Sequence, residues 1–151
     1  MILSPERTSF DRITELIWVG SRVASLDDFH RLRAQGVRAC VDMKQEGADP
    51  WNFEAFLWLP TVDQDPPSPA HLQMGIAFLR QCEQAGMPVF VHCMAGVGRS
   101  TTMVLAHLLA GQFRDSGTRA ALEFLMSRRP VINPTQLQIA AAEAAARAFA
   151  G

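Results

Sequence analysis

The segment from Val89 to Ala110, VFVHCMAGVGRSTTMVLAHLLA, constrains the fold more than any other stretch of the chain. Val89 to His92 is an apolar run too short for a helix and lacking polar alternation, the pattern of a strand buried on both faces. Thr101 to Ala110 reads as a buried helix, apolar nearly all round. Between them lies a short loop holding Gly96 and Gly98. A buried strand that turns through such a loop into a buried helix puts the loop at the carboxyl edge of a parallel sheet, where α/β folds bind ligands.

The flanking sequence supplies the remaining layers. ELIWVG (Glu15 to Gly20) predicts a strand, SLDD (Ser25 to Asp28) opens a helix that ends at Gly36, and VRACVDM (Val37 to Met43) predicts a second strand. EGADPWN (Glu46 to Asn52) is turn-forming, FLWLP (Phe56 to Pro60) reads as a third strand, and TVDQDPPSP (Thr61 to Pro69) as a proline-stiffened loop. Leu72, Ile76 and Leu79 share one face of a helix over 70–85, capped by Ser68 and Pro69 and stopped by Gly86 and Pro88. Two further helices fit 118–127 and 135–150, the second begun by Asn133 as cap with Pro134 in its first turn. Alternating strands and helices imply an α/β fold with a central, largely parallel sheet flanked by helices.

The glycine loop carries the chemistry. A strand turning into a helix aims successive backbone N–H groups and the positive end of the helix dipole at one point, which suits an anion. Arg99 offers a planar fork matched to phosphate oxygens. The same field acts on Cys93, since a thiol near 8.5 falls to roughly 3.5–7.5 at a helix N-terminus or beside cations. Cys93 is therefore expected to be a thiolate able to attack phosphorus, with Arg99 stabilising the charge on the phosphoryl oxygens.

Composition excludes other classes. The 151 residues, 48% hydrophobic and 19% charged, fit one domain spanning 1–151. Fourteen basic residues against fifteen acidic ones give no broad footprint for nucleic acid. MILSPERTSF shows no secretory signal and the longest apolar stretch is far short of the roughly 20 residues that span a bilayer. A cytoplasmic protein without a membrane anchor is expected. Cys40, Cys82 and Cys93 form no Cys-x-x-Cys pair, and His30, His71, His92 and His107 are scattered, so neither a disulfide framework nor a metal site is expected.

HCMAGVGRS resembles the His-Cys-(five residues)-Arg-Ser/Thr signature of the cysteine-dependent protein tyrosine phosphatases, specifically the compact dual-specificity group. ITELIWVGS…LRAQGVRACVDM, VDQDPPSP and RRPVINPTQLQ are similar to that group's opening elements, general-acid loop and closing segment. The resemblance implies a three-layer sandwich and a phosphatase that needs no cofactor. Its substrate would be a phosphorylated protein, bearing phosphotyrosine and also phosphoserine or phosphothreonine, or a small phosphomonoester. Cys93 is then the nucleophile, and the backbone of Met94, Ala95, Gly96, Val97 and Gly98 binds phosphate together with Arg99. Ser100 bonds the sulfur as leaving group, His92 orders the loop, Asp63 protonates the leaving alcohol, and Gln136 orients the hydrolytic water.

No tyrosine is present, so Trp51, Phe53 or Met43 is expected to line a shallow cleft. The loop carries no lysine, which tilts toward phosphoproteins over phosphoinositides. A Walker nucleotide loop would need Gly at 93 and Lys at 99, and the loop of rhodanese-type sulfurtransferases, by resemblance, is one residue shorter between Cys and Arg. Arg128 and Arg129 are read as complements to the dipole of a last helical turn in preference to a rim of the site, Cys40 and Cys82 as core residues, and His71 and His107 as structural.

Overall fold

A computed structural model describes residues 6–48 and 51–149. Along the described chain run β1 (Phe10–Arg12), β2 (Ile17–Gly20), α1 (Leu26–Ala34), β3 (Ala39–Lys44), β4 (Ala55–Thr61), α2 (Pro69–Gln84), β5 (Val89–His92), α3 (Arg99–Ala110), α4 (Thr118–Arg128) and α5 (Gln136–Ala148). The sheet order is β1-β2-β5-β3-β4, so the strand that feeds the glycine loop is central. β5 pairs parallel with both β2 and β3, and β3 pairs parallel with β4. β1 closes one edge antiparallel to β2. The fold is a three-layer α/β sandwich.

Strand alternation assigns the two faces. Ile17, Val19, Val41, Val89 and Val91 point into the larger core, where they meet Leu72, Ile76 and Leu79 of α2, Met103 and Leu105 of α3, Leu125 of α4 and Ala142 of α5. Trp18 and Phe90 point the other way, onto Phe29 and Leu32 of α1. All of α3 is buried, as its apolar sequence requires. A fully buried side chain such as Phe90 contributes on the order of 1.5–3 kcal/mol from burial alone.

The ends of the elements refine the sequence reading. Ser25 and Ser68 cap α1 and α2 by accepting from the backbone N–H three residues on. α5 is capped by Thr135 in a reciprocal box with Gln138, so Asn133 and Pro134 lie outside it. Its expected end at Ala150, and Asp49 and Pro50 of the expected turn, lie outside the described residues. β1 has no counterpart in the sequence reading, because three residues leave no periodicity to detect. β4 runs through Pro60, which an edge strand tolerates, and its register against β3 shifts so that Asp42 faces Trp58 while Lys44 faces Thr61.

Candidate active site

The loop from Cys93 to Gly98 joins the central strand to the N-terminus of α3, which has no side-chain cap and no acidic residue in its first turn. Its backbone donors are left for a ligand. Gly96 has φ of +75°, and a Cβ there would meet the Gly20 backbone at 2.4 Å, so both conformation and space demand glycine. Cys93 is buried, its Sγ accepting from Gly96 N at 3.3 Å and lying 3.3 Å from Ser100 Oγ. His92 Nδ1 donates to Cys93 O at 3.2 Å, and its Nε2 lies 3.9 Å from Asp42 Oδ2. His92 thus braces the turn from the α1 side of the sheet.

Arg99 is 1% exposed. Its Nη1 donates to Glu46 Oε1 and to Thr61 O, both at 2.8 Å, which holds the guanidinium against the wall of the cleft. Its buried Nε has no hydrogen-bond partner and lies 3.6 Å from Asp63 Oδ1. Burial pulls the Arg99 pKa down, but the Glu46 hydrogen bond and the charges of Cys93, Glu46 and Asp63 carry it above the ordinary value. In return the Arg99 hydrogen bond holds the Glu46 carboxyl below its usual range, against a smaller contrary effect of burial. Glu46 stood in the sequence only as part of a turn; nothing in its spacing marks it as the partner of an arginine 53 residues away.

Arg129 corrects the sequence reading. It is 1% exposed and lies under the glycine loop, donating through Nε to Gly96 O at 2.9 Å and through Nη2 to Ala95 O at 3.4 Å. Its Nη1 reaches Ser9 Oγ and Asp11 Oδ2. Bonding the loop's carbonyls from behind leaves its N–H groups aimed at the cleft. Arg128 instead lies over the Phe124 ring.

The cleft above the sulfur has a volume of about 630 Å³ and is lined by Glu46, Asp63, Gln64, the loop, Asn133, Thr135 and Gln138. Asp63 lines it with a side chain 68% exposed, whereas Asp65 is exposed outside the lining. Gln64 between them takes φ of +68°, turning the loop sharply. Gln136 is exposed and absent from the lining; Gln138, two residues on, is buried within it. Gln138 donates to Asp65 O at 3.1 Å and accepts from Thr135 N at 2.8 Å, so its amide links the acid loop to the start of α5. Its place follows from the cap at Thr135, which the Asn-Pro pair obscured.

None of the expected aromatic or methionine walls lines this cleft. Trp51 stacks on Phe29 and Phe53 packs beside it against α1, while Met43 is in the core. Cys40 and Cys82 are buried and outside any disulfide, and burial pushes the Cys82 thiol up to about 11. His107 bridges α3 to Glu83 of α2 at 2.9 Å. Among the described residues no group of three or more metal-ligating side chains comes together, and no helix is long and apolar enough to cross a membrane.

The model of the dual specificity phosphatase catalytic domain matches residues 17–143. The chain belongs to this family. It is 28% identical to tyrosine-protein phosphatase vhp-1 of Caenorhabditis elegans over 81% of its own length and 19% of that protein. It is 30% identical to the phosphatidylglycerophosphate phosphatase PTPMT2 of Arabidopsis thaliana over 86% of its length and 60% of that protein. The chain thus matches only part of each of these two relatives. Among solved structures the dual specificity phosphatase fold recurs in PTPMT1 in complex with PI(5)P, with a TM-score of 0.80 and 24% identity over 91% of this chain and 94% of that one. It recurs also in human DUSP28, with a TM-score of 0.79 and 25% identity over 96% and 97%.

Proposed function

We propose that this chain is a cytoplasmic phosphatase domain that hydrolyses phosphomonoesters, phosphotyrosine foremost and phosphoserine or phosphothreonine in proteins, through a cysteinyl-phosphate intermediate. The observation that carries the reading is the Cys93 sulfur set at the uncapped N-terminus of α3 and in the field of the buried Arg99, whose Nε has no hydrogen-bond partner. Cys93 Sγ attacks phosphorus, the ester P–O bond breaks, and Asp63 gives its proton to the departing oxygen. The loop amides and Arg99 hold the phosphoryl oxygens as charge develops on them. Water then attacks phosphorus, Asp63 accepts its proton, and the S–P bond breaks as Ser100 Oγ stabilises the leaving sulfur.

Gln138 takes the water-orienting role here in preference to Gln136, because it lines the cleft beside the loop. Gln138→Ala should slow dephosphorylation of the enzyme about tenfold, so that phosphoenzyme accumulates in a quench experiment. Gln136→Ala should leave the intermediate as short-lived as in the parent.

A lipid or other small phosphomonoester is the second reading, motivated by the similarity to the Arabidopsis phosphatidylglycerophosphate phosphatase. The cleft favours the protein reading: Glu46 and Asp63 line it and, among the described residues, no lysine or arginine beyond the buried Arg99 at its wall does, a poor match for a headgroup with several phosphates. Comparing kcat/KM across phosphotyrosine, phosphoserine and phosphothreonine peptides, PI(5)P and phosphatidylglycerophosphate decides between them. Faster turnover of either lipid than of every peptide overturns the choice.

A further inference from the structure

The carboxyl end of β3 holds a buried cation that the proposed chemistry does not use. Lys44 is 3% exposed and pairs through Nζ with Asp42 Oδ2 at 3.1 Å, while its backbone N–H donates to the other oxygen of the same carboxylate at 2.9 Å. Nζ also donates to Gly47 O at 2.5 Å. The Lys44 carbonyl in turn accepts from Trp58 Nε1 at 2.7 Å. Lys44 is thus fixed at its amine, its amide and its carbonyl.

What it fixes is the turn that carries Glu46. Gly47 has φ of +114° with open space where a Cβ would sit, so the turn needs glycine for its backbone conformation alone. That conformation presents the Gly47 carbonyl to the buried amine. The adjacent residue, Glu46, is the one whose carboxylate receives Arg99 Nη1 at 2.8 Å and Nη2 at 3.4 Å. Asp42 faces His92 across the β3–β5 register, so the same pair abuts the strand that feeds the nucleophile. Buried ion pairs are weak sources of stability, which points to geometry as the reason for this one.

We propose that Lys44 is a positioning residue for Arg99, acting through the Gly47 carbonyl and the Glu46 carboxylate. The inference rests on Arg99 being the phosphate clamp. Without the amine the Gly47 carbonyl loses its donor, Glu46 wanders, and the Arg99 fork keeps only the Thr61 carbonyl and the more distant Asp63 carboxylate. The place of Nε beside the cleft then loosens.

Two measurements test this in the intact chain. The Arg99 Nε–H resonance in a ¹⁵N spectrum, assigned by its loss in Arg99→Lys, reads the order of the guanidinium without any ligand. Calorimetry with inorganic phosphate reads its aim. Lys44→Met should broaden the resonance and weaken phosphate about tenfold, an effect typical of a misplaced binding group. Gly47→Ala, which keeps the buried pair and adds no clash, should move both readouts the same way. Lys44→Met combined with Glu46→Gln should be no worse than Glu46→Gln alone, since residues acting in series do not add. If Lys44→Met fails to fold, Asp42→Asn with Lys44→Met removes both charges and carries the same expectation.

Effects that multiply in the combined variant would overturn the proposal. So would a sharp Arg99 resonance and unchanged phosphate affinity in folded Lys44→Met and Gly47→Ala. A wild-type protein that binds phosphate yet hydrolyses no phosphomonoester would refute the catalytic reading separately, and the resonance would still decide the role of Lys44.

Discussion

The two loops that face each other across the cleft are built on opposite principles. The glycine loop is anchored from every side: Arg129 bonds its carbonyls, His92 braces its entry, and the Gly20 backbone abuts its tip. The Thr61–Pro69 loop is tethered near its middle by Gln138, while Asp63 stands 68% exposed at its turn. In the proposed mechanism the anchored loop is the one that would hold phosphorus. The more exposed one would deliver a proton to leaving groups of different size. Such a division suits an enzyme whose phosphoryl group is constant and whose leaving alcohol varies.

The sharpest way to break this contrast is at the sulfur. Cys93→Ser should cut turnover by about 10⁴-fold or more while leaving phosphate affinity within a few-fold of the parent, because the loop amides and Arg99 are untouched. A calorimetric titration that shows affinity lost with activity would mean that the sulfur, not the backbone, organises the loop.

Next in size is the exposed acid. Asp63→Asn should slow phosphotyrosine hydrolysis by about 10²–10³-fold and an activated aryl phosphate by only a few-fold, since an acidic phenol leaves without a proton. Its melting temperature should hardly move, as expected of an exposed side chain. Asp65→Asn should show neither kinetic effect. An exchange of phenotypes between the two aspartates would place Asp65 over the leaving group.

Arg129→Met tests the anchored half and should separate from Asp63→Asn in kind. Loss of charged hydrogen bonds to Gly96 O and Ala95 O should destabilise the chain by about 1.5–3 kcal/mol. Phosphate affinity and kcat/KM should fall together by about 10²-fold on every substrate, whatever the leaving group. Leaving-group dependence like that of Asp63→Asn would dissolve the distinction between the loops.

The smallest effect concerns the tether between the glycine loop and the cleft wall. Arg99 holds the Glu46 pKa below its ordinary 4.5, so the pair adds stability that is fully present above that value. It fades as pH falls through the lower folded-state value. Glu46→Gln should flatten this part of the acid limb of a urea-denaturation series, modestly, because Glu46 is 40% exposed and solvent screens the pair. An unchanged limb would assign the acid sensitivity to buried carboxylates elsewhere.

The parts legible in the sequence were those whose signal is local. Val89 to His92, the two glycines and the apolar helix after Arg99 follow one another without a break, and the structure draws Cys93, Ser100 and Arg99 together from that run alone. Asp63 came from the resemblance of VDQDPPSP to a general-acid loop, and the structure places it in the lining of the cleft. Glu46, Gln138 and Arg129 reach the site by tertiary routes: a turn after β3, a helix cap misplaced by two residues, and an arginine whose position at a helix end suggested a surface role. Trp51 and Phe53 failed as cleft walls for the same reason. Their apolar character fits a pocket and a core equally, and only packing against α1 separates the two.

The partners of Arg129 give β1 a part in setting where a working domain must begin. A protein shortened to start at β2 would keep the cysteine, the arginine and the acid loop, every residue that touches substrate in the proposed mechanism. It would lose Ser9 and Asp11, leaving the guanidinium beneath the glycine loop without its side-chain acceptors, and Thr8, which ties the amino-terminal segment to Asp28 of α1. In the proposed mechanism the support of the anion site therefore extends at least to Thr8, just before a small antiparallel strand about eighty residues upstream of Cys93, and a boundary drawn at the first strong hydrophobic strand would cut through it.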